Sequence, residues 1–126
     1  MQIDREERGD VTVVHLRGEF DFHDVQSAEA TIGAYIDEGA HHLVFNLEAL
    51  QFISSGGLGY FVQTAKRLRS RGGELVLACP PASFGWVVQT LGIDRVLKIF
   101  HGHEAAVEYF RARLGAPLDG PEQASL

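Results

Sequence analysis

Residues 52–59, Phe52-Ile53-Ser54-Ser55-Gly56-Gly57-Leu58-Gly59, lie between an apolar run that reads as a buried strand and a long amphipathic helix. Two adjacent hydroxyls followed by two glycines, at the opening of a helix, set side-chain oxygens beside free backbone N–H groups. The first N–H groups of a helix lack intrahelical acceptors, and its positive dipole end favours negative charge. Small residues leave the hydroxyls uncovered, within reach of another protein. The stretch reads as a modifiable docking surface, not as a catalytic centre.

Upstream, Leu43-Val44-Phe45-Asn46-Leu47 is continuously apolar except at Asn46, as in a central strand covered on both faces. Asn46 is expected to turn toward the loop that follows, which runs through Gln51. Downstream, Leu58, Phe61, Val62, Ala65 and Leu68 recur at helical spacing, and Gly72-Gly73 end that helix. Glu74-Leu75-Val76-Leu77-Ala78-Cys79 is a further strand, halted by Pro80-Pro81.

At the front of the chain, residues 2–7 and 11–17 read as a hairpin turning at Gly9-Asp10. Only Thr12 and His15 interrupt the apolar second strand, so it is expected inside the sheet. Gly18-Glu19-Phe20-Asp21 then leaves the sheet. Val25, Ala28, Ile32, Tyr35 and Ile36 mark a helix capped by His23 or Asp24 and stopped by Gly39. Toward the end, a short helix is expected over 82–90, with Phe84, Val87, Val88 and Leu91 as its apolar side and Trp86 between them. Val96 to Phe100 reads as the last strand. A final helix over 104–114 turns Val107, Phe110 and Leu114 to the sheet. Residues 115–126 lack periodicity and are expected to be a disordered tail. Strands alternating with helices make an α/β fold, with parallel pairs across the helical crossovers and an antiparallel pair in the hairpin.

The chain has 126 residues, enough for one domain with one core, and its 45% hydrophobic and 22% charged composition is that of a soluble globular protein. No apolar run reaches the roughly 20 residues of a membrane span. The start, Met1 to Glu6, lacks the basic flank and apolar stretch of a secretory signal, which makes the cytoplasm the expected location. The single cysteine, Cys79, excludes an internal disulfide and reads as a packing thiol. A net charge of −6 argues against nucleic acid as the main partner. The local basic run Lys66-Arg67-Leu68-Arg69-Ser70-Arg71 reads as cations complementing a helix C-terminus.

Enzyme signatures are absent. A nucleophile elbow needs Gly-x-Ser-x-Gly, but Phe52 and Ile53 precede the serines. No lysine follows Gly56-Gly57, as a phosphate-cradling loop requires, and Gly57-Leu58-Gly59 is an incomplete dinucleotide fingerprint. His41-His42 sits just before a strand, where adjacent side chains point to opposite faces and chelate poorly. His101-Gly102-His103-Glu104 has chelating spacing but no third ligand in the sequence beside it, so neither a metal nor a cofactor is assigned.

Four segments in order carry a resemblance: Gly18-Glu19-Phe20-Asp21, Leu43 to Leu47, Arg71-Gly72-Gly73-Glu74-Leu75-Val76-Leu77, and Leu91-Gly92-Ile93-Asp94-Arg95-Val96. Together with the serine stretch they resemble the STAS family, and within it the anti-sigma factor antagonists (anti-anti-sigma factors) of bacterial partner-switching systems. The resemblance covers residues 11–114. It implies a single STAS-like domain over 1–114, with a central mixed sheet of about five strands flanked by about four helices. It also implies a regulatory protein of transcription, not an enzyme, whose partners are an anti-sigma factor that is a serine kinase and a cognate phosphatase. The family's Asp-Ser-Ser-Gly-Leu-Gly stands here as Ser54-Ser55-Gly56-Gly57-Leu58-Gly59, and Asn46 takes the place of a frequent aspartate. Against the family variant Ser-Ser-Ala-Gly-Leu, the serine motif differs only at Gly56. That alignment makes Ser55 the phosphoacceptor, with Ser54 the fallback, and gives Asp21, Ser54, Ser55, Gly56, Gly57, Leu58 and Tyr60 as the partner-binding surface. The alternative within the same fold is a non-phosphorylated interaction module: a signalling scaffold, a lipid-transport component or a small-ligand or nucleotide-binding domain.

Overall fold

The computed structural model describes residues 1–81, 84 and 92–115. Strands β1 (Gln2–Arg8) and β2 (Val11–Phe20) form an antiparallel hairpin in which Arg8 pairs with Val11. Gly9 turns it with a φ of 67°, a value that L side chains rarely adopt. Thr12 to His15 then pair in parallel with β3 (His42–Asn46), which pairs with β5 (Glu74–Ala78), which pairs with β6 (Lys98–Phe100). The strand order is β1-β2-β3-β5-β6.

The sixth strand, β4 (Leu50–Ile53), pairs in parallel with Gly18 to Phe20, beyond the end of β3. This corrects two expectations: β2 continues past Arg17, and the segment through Gln51 is not all loop. The register shifts between Gly18 and Glu19, and Gly18 has a φ of 96°. A bulge at this glycine re-aims the strand from one partner to the next instead of ending it.

Side chains alternate between the sheet faces. Leu43, Phe45, Leu75 and Leu77 pack against Ala28, Ile32 and Ile36 of α1 (Val25–Asp37) and Leu58, Phe61, Ala65 and Leu68 of α2 (Ser55–Ser70). Val11, Val13, Val44, Val76 and Ala78 face the other way, onto Ala106, Val107 and Phe110 of α3 (His103–Leu114). Phe61 lies edge-on to both Phe45 and Phe20, with ring centroids 5.2 and 5.6 Å away. Fully burying a phenylalanine of this kind contributes about 1.5–3 kcal/mol.

The basic run has a structural role. Arg67 reaches Glu29 at 2.8 Å and Asp37 at 3.4 Å, and Arg71 lies 3.6 Å from Asp37. These arginines tie α2 to α1. Several boundaries differ from those expected. Neither His23 nor Asp24 caps α1 with its side chain: a 3-10 turn over Phe22–Asp24 runs directly into the helix, and Asp24 Oδ2 instead accepts the Asp21 N–H at 2.9 Å. Val96 precedes the last strand, after a 3-10 turn at Ile93–Arg95. Leu114 is 39% exposed, because the inward stripe of α3 closes at Phe110 and the helix is stopped by Gly115. Of the short helix expected over 82–90, only buried Phe84 lies within the described residues, and the expected tail beyond Gly115 lies outside them.

Candidate functional site

β4 delivers the chain to the start of α2. The Ser54 N–H donates to Phe20 O at 2.8 Å, extending the pairing with β2 by one step. Its extended backbone (φ −84°, ψ 168°) is that of a helix N-cap. Its Oγ accepts the Gly57 N–H at 3.1 Å, and its carbonyl accepts the Leu58 N–H at 3.0 Å. The two serines therefore divide their tasks. Ser54 is half-buried and committed to the cap, whereas Ser55 is the first helical residue and exposed.

The glycines are not equivalent. A Cβ at Gly57 would stand 2.8 Å from Ile53 Cγ1 and 3.2 Å from the Phe20 ring, so this position needs glycine for close packing. At Gly56 the added carbon would meet Phe22 Cδ2 at 3.1 Å. At Gly59, which is exposed, it would meet nothing within 4 Å.

Gly57, Leu58 and Tyr60 face inward, the last two only 3% and 5% exposed. They support the surface from beneath. The Tyr60 hydroxyl makes a long hydrogen bond to Ala28 O, and burial raises its pKa far above the usual phenol range, so it stays neutral. Asp21 is exposed at the head of the 3-10 turn. Beside it Phe22 is 70% exposed, and Phe52 on β4 is 50% exposed. A shallow groove of about 690 Å³ runs between α1 and α2, lined by Phe22, Val25, Gln26, Glu29, Tyr60 and Gln63 among others. Phe22 and Phe52 were not legible as surface residues, since large apolar side chains in a sequence default to the core.

Among the described residues no imidazole or carboxylate hydrogen-bonds either serine hydroxyl, and the one bond made by Ser54 Oγ is to the Gly57 N–H. The first turn of α2 carries no His, Cys, Asp or Glu of its own to hold a metal. What it offers is an exposed hydroxyl on a positive helix end, bordered by exposed aromatic side chains. Among the described residues no helix is long and apolar enough to cross a membrane.

A family model for the STAS domain matches residues 2–106. Among known proteins, BtrV of Bordetella bronchiseptica is 31% identical over 99 residues, covering 79% of this chain and 85% of that one. The anti-sigma F factor antagonist of Lysinibacillus sphaericus is 32% identical over 85 residues, 67% of this chain and 73% of its own. Among solved structures, the anti-sigma factor antagonist SpoIIAA in its unphosphorylated form superposes with a TM-score of 0.76 at 26% identity, covering 88% of this chain and 97% of that one. Its phosphorylated form gives 0.69 at 27%, covering 87% and 100%.

Proposed function

The chain belongs to the STAS domain family, and on that premise we propose that it is an anti-sigma factor antagonist whose docking is switched by phosphorylation of Ser55. The partner is an anti-sigma factor with serine-kinase activity. The observation that carries this reading is the division of labour between the serines: Ser54 is held by the cap, while Ser55 is exposed one residue into the helix. The likeness to relatives described as anti-sigma factor antagonists, and to SpoIIAA in phosphorylated and unphosphorylated forms, supports it.

Unmodified, Ser55, Gly56 and Gly59 present a low surface between Asp21-Phe22 and the groove along α1. A partner packs there against small residues and the exposed Phe22 ring. Phosphorylation adds about −1.5 to −2 charges. This chain tolerates them, because they sit on unpaired N–H groups at a helix start. A partner surface closed over the same spot would bury that charge without a counter-ion, which is strongly unfavourable. Modification thus releases the partner without refolding this domain, and a phosphatase restores binding. The protein itself needs no catalytic residue.

The test is incubation of the full chain with ATP and the serine-kinase anti-sigma factors of the same genome, followed by peptide mass spectrometry. One phosphate on Ser55, absent from Ser55→Ala, is expected. Tight binding to such a partner with no phosphate transferred would favour the constitutive interaction module instead.

A further inference from the structure

At the end of β5 the backbone does something unusual for its residue type. Cys79 has a φ of 57°, the left-handed region, and is the one non-glycine residue with positive φ among the described residues. Such a conformation is strained for a side chain with no local polar partner, and strain of this kind concentrates at functional positions. Its N–H is still held by Phe100 O at 2.9 Å, so the thiol is aimed by a fixed backbone.

Cys79 is half-buried, packed at the edge of the core beneath α3. One ligand atom each of Cys79, Glu48 and His103 lie within 4.8 Å of one another. Glu48 comes from the turn after β3, Cys79 from the residue after β5, and His103 from the first turn of α3. None is a sequence neighbour of another, so the fold alone brings them together. All three sit at the α3 end of the sheet, and a cavity of about 410 Å³ lined by Glu48, His103, His15 and Asn46 opens beside them.

The surroundings hold these ligands in place. Buried Asn46 accepts the Glu48 N–H with Oδ1 at 3.2 Å, while its Nδ2 contacts His15 Nδ1 at 2.9 Å. The His15 ring lies edge-on to His103, with centroids 5.7 Å apart. Glu104 Oε2 is 3.4 Å from His103 Nε2, and the Glu104 carboxylate is held by Arg8, which donates from Nη1 to Oε2 at 2.9 Å and from Nη2 to Oε1 at 2.8 Å. Burial raises the pKa of the Cys79 thiol and the Glu48 carboxylate adds to that, against a smaller opposing pull from the backbone N–H of His103, so the group holds its proton until a metal displaces it.

The geometry points to a zinc site formed by Cys79 thiolate, one ring nitrogen of His103 and one carboxylate oxygen of Glu48, with a fourth position open to the neighbouring cavity. Thiolate, imidazole and carboxylate together are a donor set for tetrahedral Zn²⁺ and a poor one for Mg²⁺ or Ca²⁺. Bond lengths to zinc place its ligand atoms roughly 3.3–3.7 Å apart. The three groups therefore close by at most about 1.5 Å, within the reach of side-chain rotation. On binding, the Cys79 S–H proton passes to solvent and a zinc–sulfur bond replaces it. The site lies on the face that carries α3, opposite α2 and Ser55, and stands independently of the proposed switch.

The test uses the full chain, stripped with chelator and titrated with Co²⁺ and with Zn²⁺ against a chromophoric competitor. One ion per chain is expected, with a near-ultraviolet thiolate-to-cobalt charge-transfer band. Cys79→Ser should abolish the band. His103→Ala and Glu48→Gln should each weaken zinc by at least about tenfold, whereas His101→Ala should leave it unchanged. Far-ultraviolet circular dichroism confirms that each variant is folded, and Glu48→Gln, an exposed turn residue, serves if the others are not. Binding without the charge-transfer band, binding lost in His101→Ala but kept in Cys79→Ser, or no zinc binding by the folded chain would each overturn the site.

Discussion

The Phe22 ring lies against Gly56, so closely that a Cβ at Gly56 would stand 3.1 Å from Phe22 Cδ2. Phe22 is 70% exposed and can move. Gly56→Ala is therefore expected to keep stability within about 1 kcal/mol of the parent, the better helix propensity of alanine offsetting the contact. Partner affinity should nonetheless fall, because the ring that borders the docking surface is displaced. Urea unfolding and partner titration on the same variant separate the two effects.

Gly57 and Gly59 should respond in opposite directions. Gly57→Ala drives a methyl group into Ile53 and Phe20 and is expected to cost about 1–3 kcal/mol. Gly59→Ala meets open space inside a helix and should stabilise by about 0.5–1 kcal/mol. Equal shifts in the two urea midpoints would contradict the packing described at the start of α2.

The serines separate in the same way. Ser54→Ala removes the acceptor of the Gly57 N–H and should cost about 0.5–2 kcal/mol. Ser55→Ala, at an exposed position, should stay within about 0.5 kcal/mol. Thermal unfolding of the pair decides which hydroxyl the fold requires.

His42 makes stability depend on pH. Its ring packs edge-on to Phe110 with centroids 5.5 Å apart, and burial, then His41 and Arg113, push its pKa below the ordinary histidine value against the opposing pull of Asp10 and Glu74. The folded state consequently holds fewer protons on this residue than the unfolded chain does in the window just below about pH 6.5. Stability should fall as pH is lowered through that window. His42→Phe keeps an aromatic ring at this position and is expected to flatten the slope, as read from urea midpoints at about pH 7.5 and pH 5.5.

Much of the fold is legible from residue pattern because period-2 alternation and apolar runs are local. Val44 and Val76 on one face and Leu43, Phe45, Leu75 and Leu77 on the other need only the strand repeat to be placed. β4 is not legible in that way: it has four residues, and its Phe52 points outward. Gly18 misleads for a related reason, since a positive φ reads as a break when the chain is in fact changing partner. At the site, adjacent serines offer two equal candidates for the cap. Only the hydrogen bond from Ser54 N–H to Phe20 O, a contact across 34 positions of sequence, decides between them. Convergence of Glu48, Cys79 and His103 is hidden for the same reason, because three separate elements supply one atom each.

The most direct measurement is the affinity of a cognate anti-sigma factor for the parent chain, Ser55→Ala and Ser55→Asp, by isothermal titration calorimetry. A negative charge at Ser55 should weaken binding at least about tenfold, in the range expected for an uncompensated charge in a closed interface, while Ser55→Ala binds like the parent and all three melt alike. Parent-like affinity in Ser55→Asp would contradict the idea that charge at this hydroxyl governs docking.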